Sequence, residues 1–139
     1  MGIHHLHFVG HWSILVSAII QWVLGALWYS PVAFGKSWAT LVTPPSGPNK
    51  QKTMIIGMIC SFGASVILSG ILWHVIQWSG ANTWKSGGMV AFFMWGGFVA
   101  ASALPGYIYE GRRFKLFSIN MSYWLLAMLI TGGLMAVWP

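Results

Sequence analysis

The chain has 139 residues, of which 57% are hydrophobic and only 6% are charged. A soluble domain carries about 25% charged residues, and seven basic residues with one acid cannot cover a soluble fold of this length. The composition therefore argues against a soluble enzyme, a nucleic-acid-binding module and a disordered tail. It predicts an integral membrane protein whose first partner is the lipid bilayer.

Four segments are long and apolar enough to cross a bilayer as helices, which takes about 20 residues each. They are Trp12–Tyr29, Met54–Trp78, Gly87–Tyr109 and Lys115–Trp138. Backbone groups in hydrocarbon must form hydrogen bonds within their own segment. The sequence thus predicts an all-α protein, a bundle of four transmembrane helices that forms one domain over residues 1–139.

A short helix is expected after the first span. Pro31 ends the first span, because proline lacks a backbone N–H and fixes its own φ. Phe34, Trp38 and Leu41 then recur at helical spacing, which predicts a short helix in the membrane interface. The proline-rich stretch from Thr43 to Asn49 is expected to be a loop.

Basic residues lie mainly on one side of the predicted spans. Lys85 lies between the second and third spans, whereas the other six follow the first or the third. These six are Lys36, Lys50, Lys52, Arg112, Arg113 and Lys115. By the positive-inside rule their loops face the cytoplasm and both termini face the other side. We expect a multi-pass protein of the cell (inner) membrane, with an organellar membrane as the alternative.

Small residues recur at four-residue spacing in two of the spans. The set comprises Gly57, Ser61, Ser65 and Ser69 in the second span, and Gly97 and Ala101 in the third. Helices in lipid associate where small residues let their backbones approach closely. We expect these stripes to pack within the chain, and a dimer contact is the alternative.

Histidines gather at one predicted side of the membrane. His4, His5, His7 and His11 precede or open the first span, and His74 lies near the end of the second. Imidazole is a common ligand of metals and haem, so His4, His5, His7 and His11 are candidate metal ligands. His11 and His74 are candidates for holding a haem or pigment. The sequence favours a histidine cluster without a ligand over either kind of site, and it requires no cofactor.

The remaining polar residues of the spans are few. Gln21 and Asn120 lie within spans, where interhelical hydrogen bonding is the expected role. Glu110 is the only carboxylate and lies beside Arg112 and Arg113, so we expect a local ion pair. One acid excludes hydrolysis by paired carboxylates, and no set of nucleophile, base and acid is visible. We therefore do not expect an enzyme.

Four sequence motifs carry a family resemblance. They are GALWYSPVAFGKSW at residues 25–38, WGGF at 95–98, EGR at 110–112 and FSIN at 117–120 with Tyr123. With these motifs the chain resembles the small four-helix membrane proteins grouped as domain of unknown function 1761 (DUF1761). The resemblance extends from about Ile14 to the C-terminus. It implies a four-span membrane protein and supplies no activity.

The residues that match the family's motifs lie on one predicted side of the membrane. They are Trp28, Tyr29, Pro31, Gly35, Glu110, Arg112 and Asn120. Trp28 and Tyr29 are expected to anchor at the interface, and Pro31 and Gly35 to shape the turn that leaves the first helix. We expect all seven to form one site on the cytoplasmic face.

Three functions remain open at this point. The first is a non-catalytic structural or accessory protein that assembles with itself, as a homo-oligomer, or with a larger membrane complex. The second is a small oligomeric transporter or channel. It would need a polar path through the membrane, for which Gln21, Asn120 and the serines provide few groups. The third is a subunit that binds a metal, haem or pigment through His11 or His74. The scarcity of chemical groups favours the first.

Overall fold

The computed structural model describes residues 11–43 and 45–138. Regular structure in this part of the chain is entirely helical. The elements are α1 (Trp12–Trp28), α2 (Gly35–Leu41), α3 (Lys50–Ser79), α4 (Trp84–Met94), a π-helical segment (Trp95–Ala100), α5 (Ala101–Tyr109) and α6 (Phe114–Val137). The all-α prediction is confirmed.

Three helices are long and apolar enough to cross a membrane. They are α3, the continuous helix Trp84–Tyr109 and α6. The remaining expected span, the first in the chain, corresponds to α1, which is apolar and has 17 residues. At 1.5 Å per residue it is about 26 Å long, slightly less than the roughly 30 Å of a bilayer's hydrocarbon core.

Two helix starts differ from the predicted positions for local reasons. The helix expected from Gly87 begins at Trp84, because the Thr83 hydroxyl accepts a hydrogen bond from the Ser86 backbone N–H while Ser86 Oγ accepts one from the Thr83 N–H. This reciprocal capping box starts the helix. The helix expected from Met54 begins at Lys50, so its first turn carries the two lysines of the preceding loop. The predicted short helix is present as α2.

α6 lies at the centre of the packing. It contacts α1, α2, α3, α4, the π-helical segment and α5. The contiguous core consists of Ile14, Leu72, Trp73, Ile76, Ala91, Met128, Met135 and Ala136. Because four different elements contribute to this core, the described chain folds around α6.

α4 and α6 approach each other most closely at glycines. A Cβ atom added to Gly132 would lie 2.7 Å from Ala91 Cβ and 2.9 Å from the Gly87 carbonyl oxygen. A Cβ on Gly87 would overlap the Gly132 backbone. Backbones in lipid pack this tightly where side chains are absent.

The helix Trp84–Tyr109 departs from regular α-helical geometry near its middle. The residues Trp95–Ala100 form a π-helical turn, and Pro105 lies inside α5. The Trp95 side chain anchors this turn, because its Nε1–H donates to the Met121 carbonyl of α6 at 2.9 Å. Wide turns of this kind interrupt the regular hydrogen-bond ladder and are enriched at functional sites.

The small-residue stripes divide into a buried and an exposed part. Ser65 and Ser69 are buried in the core. Gly57 and Ser61 of α3, and Gly97 and Ala101 of the third span, are exposed. Within the described chain, packing of the stripe therefore extends over only half of its length, and close packing at the other four residues stays a prediction.

Candidate functional site

Asn120 joins the three elements that carry the predicted motif residues. The Tyr29 hydroxyl, just after α1, donates to Asn120 Oδ1 at 2.7 Å. Asn120 Nδ2 in turn donates to the Tyr107 hydroxyl of α5 at 2.8 Å. Residues far apart in sequence thus meet through one amide, and the network ties α1, α5 and α6 together at one end of the fold, which we call the Tyr29 end.

The turn that follows α1 folds back on the helix end. The Phe34 N–H donates to the Trp28 carbonyl at 2.9 Å, and the Gly35 N–H donates to the Ser30 carbonyl at 2.9 Å. A Cβ on Gly35 would overlap the Tyr29 and Ser30 backbone, so this turn requires glycine. Pro31 lies at the exposed tip of the same turn.

Trp28 fixes the end of α1 against α6. Its indole Nε1–H donates to the Ile119 carbonyl at 3.0 Å, one residue before Asn120. The Trp28 ring also packs on Phe34, with the ring centroids 4.7 Å apart. The indole therefore contributes a specific contact between helices in addition to its expected place at the membrane interface.

The ion pair expected from the sequence is present. Arg112 Nε lies 3.0 Å from Glu110 Oε2, and the Arg112 guanidinium lies over the Tyr107 ring, 3.9 Å from its centroid. The two side chains are 45% and 62% exposed, so the pair alone stabilises the fold little. Its position matters more, because the stacking connects Arg112 to the Tyr29–Asn120–Tyr107 network.

Gln21 lies fully buried between α1 and α6. Its Nε2 donates to Thr131 Oγ1 at 3.2 Å, and Thr131 Oγ1 donates to the Ala127 carbonyl at 2.8 Å. The Tyr123 hydroxyl donates to the Gln21 backbone carbonyl at 2.7 Å. Gly25 leaves room for that phenol, since a Cβ there would lie 2.9 Å from the Tyr123 hydroxyl oxygen.

His11 and His74 lie at the opposite end of the fold, which we call the His11 end. The His11 ring stacks on Trp73 at a centroid distance of 4.3 Å, and Trp73 meets His74 edge-on at 5.0 Å. His74 is 2% exposed, and its Nδ1 lies in hydrogen-bond contact with the Gly70 carbonyl. A haem or pigment held by these two histidines stays a prediction.

The expected metal site rests partly on residues that are not described. His4, His5 and His7 lie outside the described residues. Among residues 11–43 and 45–138, no group of three or more histidine, cysteine, aspartate or glutamate side chains is placed to hold a metal ion. Of the four candidate ligands, the described part of the chain therefore shows only His11.

The structure brings together most of the residues predicted for the site. Trp28, Tyr29, Glu110, Arg112 and Asn120 are linked directly or through one intervening group. The residues predicted for the site did not include Tyr107, which connects Asn120 to Arg112. The prediction also did not identify Thr131 as the partner of Gln21. Side-chain periodicity was the only available signal, and it does not identify partners on another helix.

The network can position helices and present one guanidinium at the Tyr29 end. Its central groups are two phenols and an amide, which form hydrogen bonds in their neutral states. Such an arrangement orients the three helices relative to one another.

Comparison with known proteins assigns the chain to a sequence family. The model of a family described as a protein of unknown function, DUF1761, matches residues 12–136. No curated protein and no solved structure matches the chain. The matched region runs from the first residue of α1 into the last turn of α6.

Proposed function

The chain belongs to the DUF1761 family of unknown function, and on this premise we propose that it is a non-catalytic membrane protein that assembles through the first half of α3. The occupant we propose for this surface is a second copy of the chain. Assembly with a larger membrane complex is the alternative, and cross-linking through Cys60 distinguishes the two.

The observation that carries the proposal is the exposure of α3. Residues 51–61 are all exposed, although the Trp22 indole of α1 donates to the Met58 carbonyl on another side of the helix. Four small residues lie on one side of it, at spacings of three and four, which on a helix share a face. We call this set, Gly57, Cys60, Ser61 and Ala64, the small-residue face.

The small-residue face suits a helix partner better than lipid. Helices associate in lipid by close packing of their backbones, which small residues permit. A Cβ on Gly57 would meet no atom within 4 Å, so the face is open in the single chain. In a symmetric dimer the same face of both copies would meet, and each copy would supply the small residues that the other requires.

We further propose that α1 crosses the membrane as a fourth span. α1 packs along α3 and α6 from end to end: His11 stacks on Trp73 at one end, and Trp28 and Tyr29 bind α6 at the other. A helix in register with a spanning helix over its whole length lies at the same depth. Slight tilting or thinning of the bilayer accommodates its 17 residues.

The single cysteine makes assembly directly measurable. Cys60 is exposed on the small-residue face, and two copies of it would meet across a symmetric dimer at distances that a disulfide can span. We expect a membrane-permeant oxidant to produce a cross-linked species of twice the monomer mass in native membranes, and Cys60→Ser to abolish it. A cross-link of another mass would support the larger complex.

Two glycine variants test whether the small-residue face makes the contact. Gly57→Leu places a bulky side chain on the face and should reduce the cross-link severalfold. Gly63→Leu is the matched control, because Gly63 is exposed with no neighbour within 4 Å and points roughly 110° away from the centre of the face. Absence of any cross-link, or equal yields in the two variants, would contradict assembly through this surface.

A further inference from the structure

The seam between α1 and α3 is polar although it is buried. Of the five buried residues of α1, three are polar, namely Ser13, Ser17 and Gln21, and they recur every four residues. On α3, Ser69 and Trp73 are buried at the same spacing. The two helices run antiparallel, since His11 stacks on Trp73 and the Trp22 indole donates to the Met58 carbonyl. Ser13 and Ser69 therefore lie at about the same level.

Several polar atoms of this seam have no hydrogen-bond partner within residues 11–43 and 45–138. They are Ser13 Oγ, Ser17 Oγ, Gln21 Oε1, Ser69 Oγ and Trp73 Nε1. All five side chains are more than nine-tenths buried. Leaving a buried donor or acceptor unsatisfied is costly, and buried polar groups in proteins are nearly always bonded to protein or to ordered water.

The unsatisfied atoms occupy only one half of the seam. All of them lie between the His11 end and the level of Gln21. Beyond Gln21, the Trp22 indole donates to the Met58 carbonyl of α3. On the α6 side, Tyr123 donates to the Gln21 carbonyl and Tyr29 donates to Asn120. The Tyr123 phenol fills the space beside Gly25, so the seam is closed toward the Tyr29 end by groups whose hydrogen bonds are made.

We propose that the seam between α1, α3 and α6 is a hydrated half-channel, which water enters from the His11 end and follows as far as Gln21 and Thr131. Water fits the chemistry of the lining. It accepts from the Trp73 indole N–H, donates to Gln21 Oε1 and does either with the serine hydroxyls. A metal ion or an anion would satisfy only one half of this mixed set.

The half-channel would bring water deep into the bilayer from one side only. Ser13 and Gln21 are eight residues apart, or about 12 Å along the helix. The Gln21–Thr131 pair would then form a polar site that is reached from the His11 end and sealed from the Tyr29 end. This property lies beyond the proposed assembly through α3, because it concerns a different face of the fold.

Cysteine accessibility tests the proposal, because the reactive form of a cysteine is the thiolate, which forms in water and is suppressed in an apolar core. In a Cys60→Ser background, Ser17→Cys and Ser69→Cys replace buried serines by nearly isosteric thiols. Ala18→Cys is the matched control, since Ala18 is equally buried on α1 at 0% exposure. The probes are Ag⁺ and a small methanethiosulfonate ammonium reagent.

We expect both serine positions to react at least about tenfold faster than Ala18→Cys, which corresponds to one pKa unit in thiolate formation. Rates equal to that of Ala18→Cys would overturn the proposal. A second measurement is independent of labelling: Ser17→Ala should lower the thermal midpoint or leave it unchanged, because a hydrated hydroxyl is lost. A rise in the midpoint, as expected when a dry unsatisfied hydroxyl is removed, would contradict hydration of the seam.

Discussion

At the scale of single residues, Asn120 decides how the Tyr29 end is held together. One amide accepts from Tyr29 and donates to Tyr107, and Arg112 stacks on the second phenol. The motif residues of the family resemblance thus have a structural explanation. Trp28, Tyr29 and Asn120 join helices, and Gly35 permits a turn that any side chain would obstruct.

Replacing Tyr29 with phenylalanine removes one donor from this network while keeping the ring. We expect Tyr29→Phe to lower the free energy of unfolding by about 0.6 kcal/mol, the mean measured for hydrogen bonds between membrane helices, for which the maximum is about 1.7 kcal/mol. Tyr109→Phe is the control, because Tyr109 is 90% exposed. Unfolding in mixed detergent micelles measures both, and equal effects of the two variants would contradict the role of the Tyr29 hydroxyl.

At the scale of helices, the closest contact and the open surface lie on different elements. α4 and α6 meet through Gly87 and Gly132, whereas the small-residue face of α3 is exposed. Both surfaces carry small residues. Periodicity alone identified the stripe on α3 but did not separate the half that packs internally, at Ser65 and Ser69, from the half that stays exposed.

Two adjacent glycines of α4 provide a matched test of the contact with α6. Gly87→Leu would force the two backbones apart, and we expect it to lower the unfolding free energy by about 1–3 kcal/mol, as other overpacked contacts do. Gly88→Leu should have no such effect, because a Cβ there meets nothing within 4 Å. A thermal melt in detergent compares them, and similar midpoints for both variants would show that the contact does not limit stability.

At the scale of the whole molecule, the charges and the polar interior give the two ends different characters. The six basic residues of the predicted cytoplasmic side lie at or near the Tyr29 end, with Arg112 in the satisfied network. The His11 end carries Lys85 as its basic residue among those described and lies nearer to the unsatisfied polar atoms of the seam. A hydrated half-channel would thus face away from the basic side.

Labelling from the two sides of a membrane tests the proposed fourth span and the orientation together. In a Cys60→Ser background, His11→Cys and Lys85→Cys should react with an impermeant thiol reagent from one face, and Lys36→Cys and Arg113→Cys from the other. Lys36 and Arg113 should face the cytoplasm. If His11→Cys and Lys36→Cys react from the same face, then α1 does not cross the membrane.

The sequence by itself indicated a membrane protein, determined the helical class and singled out candidate residues of one site. Scarce charge excludes water as the surrounding of most of the chain, and hydrocarbon then requires helices. The motifs of the family resemblance singled out Tyr29, Asn120, Glu110 and Arg112. Asn120 and Glu110 were also noticeable because polar and acidic residues are rare in this chain.

Only the tertiary structure decided which of those groups meet and which small residues are already used. The Asn120 bridge to Tyr107, the Gln21–Thr131 pair and the Gly87–Gly132 contact depend on the register between helices. Uniformly apolar helices have no strong amphipathic pattern that would fix their rotation. The unsatisfied polar atoms in one half of the seam emerge for the same reason, since a hydroxyl's partners lie on other helices.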